Sequence, residues 1–472
     1  MENYMLIEKP LPFVTTFIEA LNDAIKIHQP GSELSRTQKY WLSFCVMAIL
    51  ITNSVCWARF ERASIGKYSM AALSWMFHHS KIPWDLLLQL SIRVVLLKYD
   101  ITEGVISIDD TDNKRSKSTK FISWVHKIKD KASGGYIMGQ SLVFLVLITS
   151  KITIPVGFSF YVPDPELTAW NKKDKKLKKQ GVIASKRPAK PLKNDKYPTM
   201  IEIALTLLKE FQSFHPGIKI KCIVADALYG TNKFLTDASN IFGGTQVISQ
   251  IRKNQNIRVR GKEYSVEEYF SKHPGVPQKI KIRGDEKVAA IIGSGRFYVC
   301  AHGKKCFVIA LKYEGEKEYR YLVAADLSWR TLDIVQAYTL RWLVEVFFED
   351  WKANEGWVNL TKLTGKEGSR HSLILSLLVD HCLFFHPDQL ARIENKLSAC
   401  TVGSLRLQIM VESLFVFIHK ILDSENINER LALMKKYIKE FVFTLSPSKK
   451  HMVGRNLGRL EPTPSLKYRT VT

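Results

Sequence analysis

Apolar positions recur at spacings of three and four through residues 6–27, 37–51, 70–79 and 84–97. That period lines one face of an α-helix, so the first hundred residues are expected to form a helical lobe. From Gly104 the period changes. Residues 105–109 form a short apolar run ending in acids, and the β-rich stretches 136–148 and 152–162, joined by Thr149-Ser150-Lys151, suit a hairpin. A lysine-dense insert at 170–196 precedes an expected helix at 199–211 and a strand at 218–226, announced by Pro216-Gly217. A helix near 232–239 and a strand at 245–251 follow. Strands, then a helix, then further strands is the order of an α/β core with a mixed sheet. Residues from about 257 to 325 carry β-type segments at 279–282, 289–292, 296–301, 306–313 and 319–324, which suggests an inserted β-rich domain. Helical spacing resumes at Thr331 and persists to about Phe443, ahead of a basic tail after Pro447 that is expected to be mobile.

These shifts divide the chain into a helical N-terminal lobe (1–100), the first part of an α/β core (101–254) and an inserted β-rich domain (255–328). A returning core helix (329–365) and a helical C-terminal lobe with the basic tail (366–472) complete it. A basic helical lobe ahead of an enzyme core could read DNA; packing or dimerisation would explain it equally well.

The chain is 46% hydrophobic and has a formal net charge of +24. The first figure is that of a globular protein, and the second favours a polyanionic partner, because clustered Lys and Arg gain from counterion release at phosphates. Acidic lipid is the alternative, but no basic amphipathic anchor stands out. The seven cysteines form no pair at zinc-ligand spacing and read as reduced thiols. No basic segment followed by an apolar run opens the chain, so the cytoplasm is the expected compartment. Residues 41–58 carry no formal charge, yet Ser43, Thr52, Asn53 and Ser54 interrupt them, which suits a buried helix followed by a turn better than a membrane span.

Candidate chemistry begins with carboxylates. In 218–226 every second residue is apolar until Asp226, an acid on the same face. Residues 105–110 repeat this, with Ile106, Ile108 and Asp110 on one face and Val105, Ser107 and Asp109 on the other. An acid at the carboxyl end of a buried strand sits at the rim of a sheet, where a cation or donors must relieve its burial. Alone, each could be a turn former or helix cap.

A third element changes the weighting. Tyr338, Arg341, Glu345 and Lys352 are three, four and seven positions apart, which on one helix confines them to a stripe about 60° wide. Trp342, Leu343, Val344, Val346, Phe347, Phe348 and Trp351 surround that stripe. A charged seam on an otherwise apolar helix should face a cleft; an i,i+4 pair of Arg341 and Glu345 would explain the charges but not the burial.

The spacing Tyr, two residues, Arg, three residues, Glu, six residues, Lys resembles that of the DDE transposases of bacterial insertion sequences, in the branch whose type member is insertion sequence 4. Ser107-Ile108-Asp109-Asp110-Thr111 is similar to their first acidic motif and selects Asp110; residues 224–230 are similar to the second and select Asp226. The resemblance spans about half the chain. It implies an RNase H-like core interrupted by an inserted β domain, with Asp110, Asp226 and Glu345 as catalytic metal ligands. Two Mg²⁺ ions, replaceable by Mn²⁺ and best placed about 3.5–4 Å apart, would activate the nucleophile and stabilise the leaving oxygen, with Asp110 bridging them.

The same resemblance implies that Tyr338, Arg341 and Lys352 grip phosphates near a transposon end, and that Tyr321 stands where relatives stack a flipped base. It also implies cut-and-paste movement of a DNA element with terminal inverted repeats into target DNA, by the hairpin route that many relatives take, by a homodimer paired across two ends. From the residues themselves, the lysine run after Trp170 is either a solvated loop or a phosphate-tracking arm, and Arg252 and Lys253 are further phosphate candidates. Two rival readings remain: a retired transposase that only binds DNA, and an RNase H-like nuclease without strand transfer.

Overall fold

The computed structural model describes residues 10–437 and 439, apart from 65–66, 116–118, 131–133, 283–285, 358–362 and 423–425. The expected tail after Pro447 lies outside the described residues.

Helical periodicity in the first hundred residues becomes five helices: α1 (Pro12–His28), α2 (Arg36–Thr52), α3 (Trp57–Ala63), α4 (Met70–His79) and α5 (Trp84–Lys98). A capping box of Ser35 and Gln38 starts α2, and every residue from Trp41 to Ile51 is buried, as expected of a core helix. Asn53, in the left-handed region at φ 48°, ends it, and α3 departs at 92°. Trp41, Trp57, Phe77 and Trp84 knit α2 to α5, with ring centroids 5.1–6.1 Å apart around the group.

The sheet places the site. β1 (Glu103–Lys114), β2 (His126–Lys129), β3 (Tyr136–Ile148) and β4 (Thr153–Tyr161) come first, followed after α6 (Pro165–Lys179) and α7 (Met200–Phe214) by β5 (Lys219–Ala225), then α8 (Asn232–Ile241) and β6 (Gln246–Gln250). Their spatial order is β4-β3-β1-β5-β6, with β3 antiparallel to both of its neighbours, β4 and β1, and with β1, β5 and β6 parallel. This is an RNase H-like mixed sheet, and the connections put helices against it as an α/β core requires.

The β-rich insertion contains β7 (Asn256–Val259), β8 (Lys262–Ser265), α9 (Val266–Lys272), β9 (Val276–Ile282), β10 (Glu286–Val299), β11 (Lys304–Tyr313) and β12 (Arg320–Ala324). It continues the core sheet: β12 pairs antiparallel with β6, and the ladder runs on through β11 and β10 to give twelve strands in all. The two segments expected at 289–292 and 296–301 are one strand. Gly293, Ser294 and Gly295 have weak strand preference, but they are held opposite Ala310, Ile309 and Val308 of β11.

After the insertion come α10 (Thr331–Thr339), α11 (Trp342–Asn354), α12 (Gly365–Leu383), α13 (Pro387–Glu394), α14 (Val402–Leu422) and α15 (Ile427–Tyr437). The single helix expected to carry the charged seam is therefore two helices meeting at Leu340–Arg341. Phe144 of β3 receives Phe347, Phe348 and Trp351 of α11 at ring-centroid distances of 5.1–5.6 Å. α12 closes the molecule onto the N-terminal helices: His381 Nδ1 is 2.7 Å from Ser91 Oγ, and Tyr99 OH donates to the Phe384 carbonyl at 2.6 Å. The N-terminal and C-terminal helices thus share one apolar core with the sheet. Among the described residues one helix segment, Val402–His419, is long and apolar enough to cross a membrane, and 22% of it is buried.

Glu355, just beyond α11, and Asp380 of α12 are buried acids with mutual electrostatic influence. Both Glu355 carboxylate oxygens and Asp380 Oδ2 lack a hydrogen-bond donor among the described residues. Burial pushes both carboxyls above the ordinary range, and the neighbouring Asp350 adds to the shift. The folded chain therefore binds more protons here than the unfolded chain. The stability this confers is fully present below the unfolded carboxyl values and is lost as pH rises through the raised folded values. Thermal unfolding of Glu355→Gln should match wild type at pH 4 and exceed it at pH 8 by on the order of 1–3 kcal/mol, the scale of an unsatisfied buried polar group; equal stability at both pH values would contradict this account.

Candidate metal centre

Parallel pairing of β1 with β5 runs from Glu103 opposite Lys219 to Ile108 opposite Ala225, where β5 stops. β1 does not stop there. It continues to Lys114, paired on its other edge with β3, so its acids lie within the strand and not at its end as the sequence pattern suggested. Beyond Ala225 the chain turns, and the Asp226 carboxylate accepts from Leu228 N at 2.8 Å to cap a 3-10 turn over Ala227–Tyr229. Asp226 is thereby left beside the open edge of β1. One carboxylate oxygen each from Asp109, Asp110 and Asp226 fall within 4.8 Å of one another.

Which of the two adjacent aspartates faces Asp226 is decided at Gly104. The register slips by one residue between Gly104 and Val105, so that Val105 pairs with Cys222 and Ser107 with Val224. Carried forward, it sets Asp109 opposite Asp226; an unslipped register would have set Asp110 there. On the other edge of β1, a side chain at 104 would meet Leu147 Cδ1 at 2.8 Å and the Ile148 carbonyl at 2.9 Å, so glycine permits the close approach of β3 there.

The Asp226 turn is clamped from the insertion side. Ser249 Oγ donates to the Asp226 carbonyl at 2.5 Å, and His302 Nε2 is 3.0 Å from the Gly230 carbonyl as donor. Gly230 lies so close to β6 that a Cβ would meet the Gln250 carbonyl oxygen at 2.1 Å.

All four signature residues reach this seam. Tyr338, buried at the end of α10, accepts from Gln250 Nε2 at 2.7 Å. Arg341 bridges two acids, with Nη1 2.8 Å from Asp109 Oδ2 and Nη2 2.5 Å from Glu345 Oε1. Lys352 donates to Thr111 Oγ1 and, at 3.0 Å, to the Asp112 carbonyl. Glu345 is thus joined to the group through Arg341 and is not among the three carboxylates in ligand contact.

Burial raises the Asp109 carboxyl to about 7 against the pull of Arg341, with Asp226 and Asp110 adding repulsion. Burial likewise pushes the Tyr338 phenol up to about 12. The Arg341 guanidinium is raised despite burial, because Tyr338, Asp109 and Glu345 favour its charge. Tyr229 is fully buried, and its hydroxyl has no hydrogen-bond partner among the described residues. Burial first, then the fields of Asp110, Asp226 and Asp109, hold that phenol protonated. Three converging carboxylates form a hard, oxygen-only donor set, which suits a hard divalent cation and not a soft metal.

The remaining sequence candidates lie elsewhere. Tyr321 of β12 is 7% exposed and packed against Tyr319 and Phe270. Arg252 and Lys253 are exposed beyond β6, with Lys253 paired to Glu267 at 3.1 Å. Trp170 sits in α6 and donates its indole N–H to the Pro188 carbonyl at 2.9 Å, folding the following segment back on the helix. Asp109, Tyr229, Gln250 and Thr111 were not picked out from sequence. Only the Asp109-Asp110 doublet offered a signal.

No curated protein matches the chain. Among solved structures, the piggyBac transposase synaptic complex with hairpin DNA aligns over 94% of this chain and 85% of that one, at 10% identity and a TM-score of 0.40. The family model described as DDE superfamily endonuclease matches residues 58–290, a stretch that contains Asp109, Asp110 and Asp226 and ends before Glu345.

Proposed function

We propose that the chain is a DNA transposase that cuts at the terminal inverted repeats of a mobile element and joins the freed ends to target DNA. The observation that carries this reading is the convergence of Asp109, Asp110 and Asp226 at the open edge of β1, with Glu345 one guanidinium away. Divalent cations held there, Mg²⁺ or Mn²⁺, would supply the activated nucleophile and the charge relief that phosphodiester cleavage needs. The protein's own part is placement. Asp226 is fixed by its cap and by Ser249, Asp109 by the β1–β5 register, and Glu345 by α11 docked on Phe144. Tyr338, Arg341 and Lys352 line the approach to the carboxylates and suit the phosphates of a transposon end, and the protein would work in the cytoplasm as a homodimer across two ends.

Basic charge fits a DNA partner. α6 carries Lys172, Lys173, Lys175, Lys176, Lys178 and Lys179 on one short helix, against which only Asp174 and Glu166 offer negative charge. Asp174 is already engaged by Arg187 and Lys178, each at 2.8 Å. The remaining ammonium groups suit flanking or target phosphates. A nuclease without strand transfer is the second reading, favoured by the endonuclease description of the matching family.

Cleavage of labelled end DNA separates these ideas. Asp226→Asn and Glu345→Gln should retain end binding and lose cleavage by at least about a thousandfold, the scale of lost electrostatic stabilisation. Asp109→Asn should fall as far. Comparing it with Asp110→Asn identifies the essential member of the doublet, and full activity in both variants would remove the doublet from the mechanism. Joined products in the same reaction distinguish transposition from simple nicking. Replacing four of the α6 lysines by Gln should flatten the slope of log binding constant against log salt by about 3–4, as each lost phosphate contact removes nearly one unit; an unaltered slope would make α6 a solvated helix only.

A further inference from the structure

We propose that Arg341 is a built-in counter-ion of the carboxylate site, occupying it in the DNA-free protein and leaving when DNA phosphate draws the guanidinium away, so that cation loading is tied to DNA binding. The proposal rests on reading the carboxylate cluster as a metal centre. Its own basis is where Arg341 lies and how it is attached.

A fork of two guanidinium nitrogens reaches from one acid of the cluster to the third motif acid, 2.8 Å to Asp109 and 2.5 Å to Glu345. A cation shared by those two carboxylates would have to compete with it. Three carboxylates with ligand atoms within 4.8 Å, partly withdrawn from water, repel one another, and an internal cation relieves that repulsion while the protein is alone. The guanidinium is suited to this because it keeps its charge when buried and matches carboxylate geometry bidentately.

Arg341 is also placed to move. It stands at the junction of α10 and α11, where the backbone bonds tighten from i−4 to i−3: Arg341 N to Tyr338 O at 3.1 Å, Leu343 N to Leu340 O at 3.0 Å, and Val344 N to Arg341 O at 3.2 Å. Such a short 3-10 stretch within a helical run is a common place for a hinge. The residues on either side are anchored, Tyr338 to Gln250 and Lys352 to Thr111. The clamp opens outward: the Glu345 side chain is 38% exposed against 13% for Asp109, so an incoming phosphate meets the outer end of the bridge first. Phosphate competes well for this group, because it can accept two parallel guanidinium hydrogen bonds, whereas Asp109 and Glu345 accept one each.

Calorimetric titration of the full-length protein with Mn²⁺, with and without a blunt DNA duplex, tests the idea without using catalysis. Arg341→Gln and Arg341→Lys both remove the two-point bridge, and Lys keeps the charge should Gln impair folding. Without DNA, Arg341→Gln should bind Mn²⁺ about 5- to 150-fold more tightly than wild type, the usual range of coupling between sites, and Arg341→Lys, which loses the bridge but keeps a charge, should bind it more tightly than wild type by a smaller factor. The duplex should tighten Mn²⁺ binding to wild type by about the factor seen for Arg341→Gln, leave Arg341→Gln unchanged, and tighten binding to Arg341→Lys by less than wild type. Mn²⁺ affinity in the variants equal to or weaker than wild type, or a wild-type affinity indifferent to the duplex, overturns the proposal. Asp226→Asn is the control: if it binds Mn²⁺ as well as wild type, the metal-centre reading fails and takes this proposal with it, whereas binding lost in Asp226→Asn but unimproved in the Arg341 variants sinks the counter-ion role alone.

Discussion

The site depends on one unequal pairing: β5 leaves β1 at Ala225 while β1 runs on for six more residues against β3. Were β5 to continue, its backbone would fill the space in which Asp109, Asp110 and Asp226 meet. Were β1 to stop as well, its acids would swing into a loop. The premature turn at Asp226 is therefore the structural act that creates a carboxylate cluster, and its supports explain the surrounding polar contacts. Ser249, Gly230 and His302 hold the turn against β6 and the insertion, and the cluster's repulsion is met by Arg341 from the opposite side. Nearby acids cost folding free energy unless something cationic answers them.

Much of the architecture was legible because burial imposes period on sequence. Strands β3, β4, β5 and β6 lie within a residue or two of where alternation put them, and helices α7 and α8 extend only slightly beyond their expected ends. The register was not legible. A strand pattern tells which residues share a face within one strand, but not how two strands are offset, and a slip at Gly104 exchanges the faces of every residue after it. The resemblance of the first acidic motif selects Asp110; the slip brings Asp109 opposite Asp226 while all three remain in one group. Tyr229 and Gln250 left no trace in the pattern, since one reads as a core aromatic and the other as a strand-end polar residue.

The four-residue spacing around Arg341 carries more information than the continuous helix it suggested. A straight helix would present the four side chains as one stripe to one partner. In the folded chain they serve two strands and one another: Tyr338 reaches β6, Arg341 and Lys352 reach β1, and Glu345 faces Arg341. The tightened turn between α10 and α11 reconciles regular spacing with divergent targets. The exposed apolar positions Trp342 and Val346, 41% and 38% exposed, mark the side of α11 that the seam argument had assigned to the interior. Only Val344, Phe347, Phe348 and Trp351 are buried there.

The union of β12 with β6 has a consequence for how this molecule can be cut or rebuilt. An insertion hung on two flexible connections could be deleted as a module, leaving its host intact. Here, excising residues 255–328 would strip β6 of its antiparallel neighbour and bare an unsatisfied row of amide and carbonyl groups beside the Asp226 strand. Such an edge invites association with other chains. A minimal catalytic fragment of this protein must therefore keep at least one strand from the insertion, or supply a substitute for it.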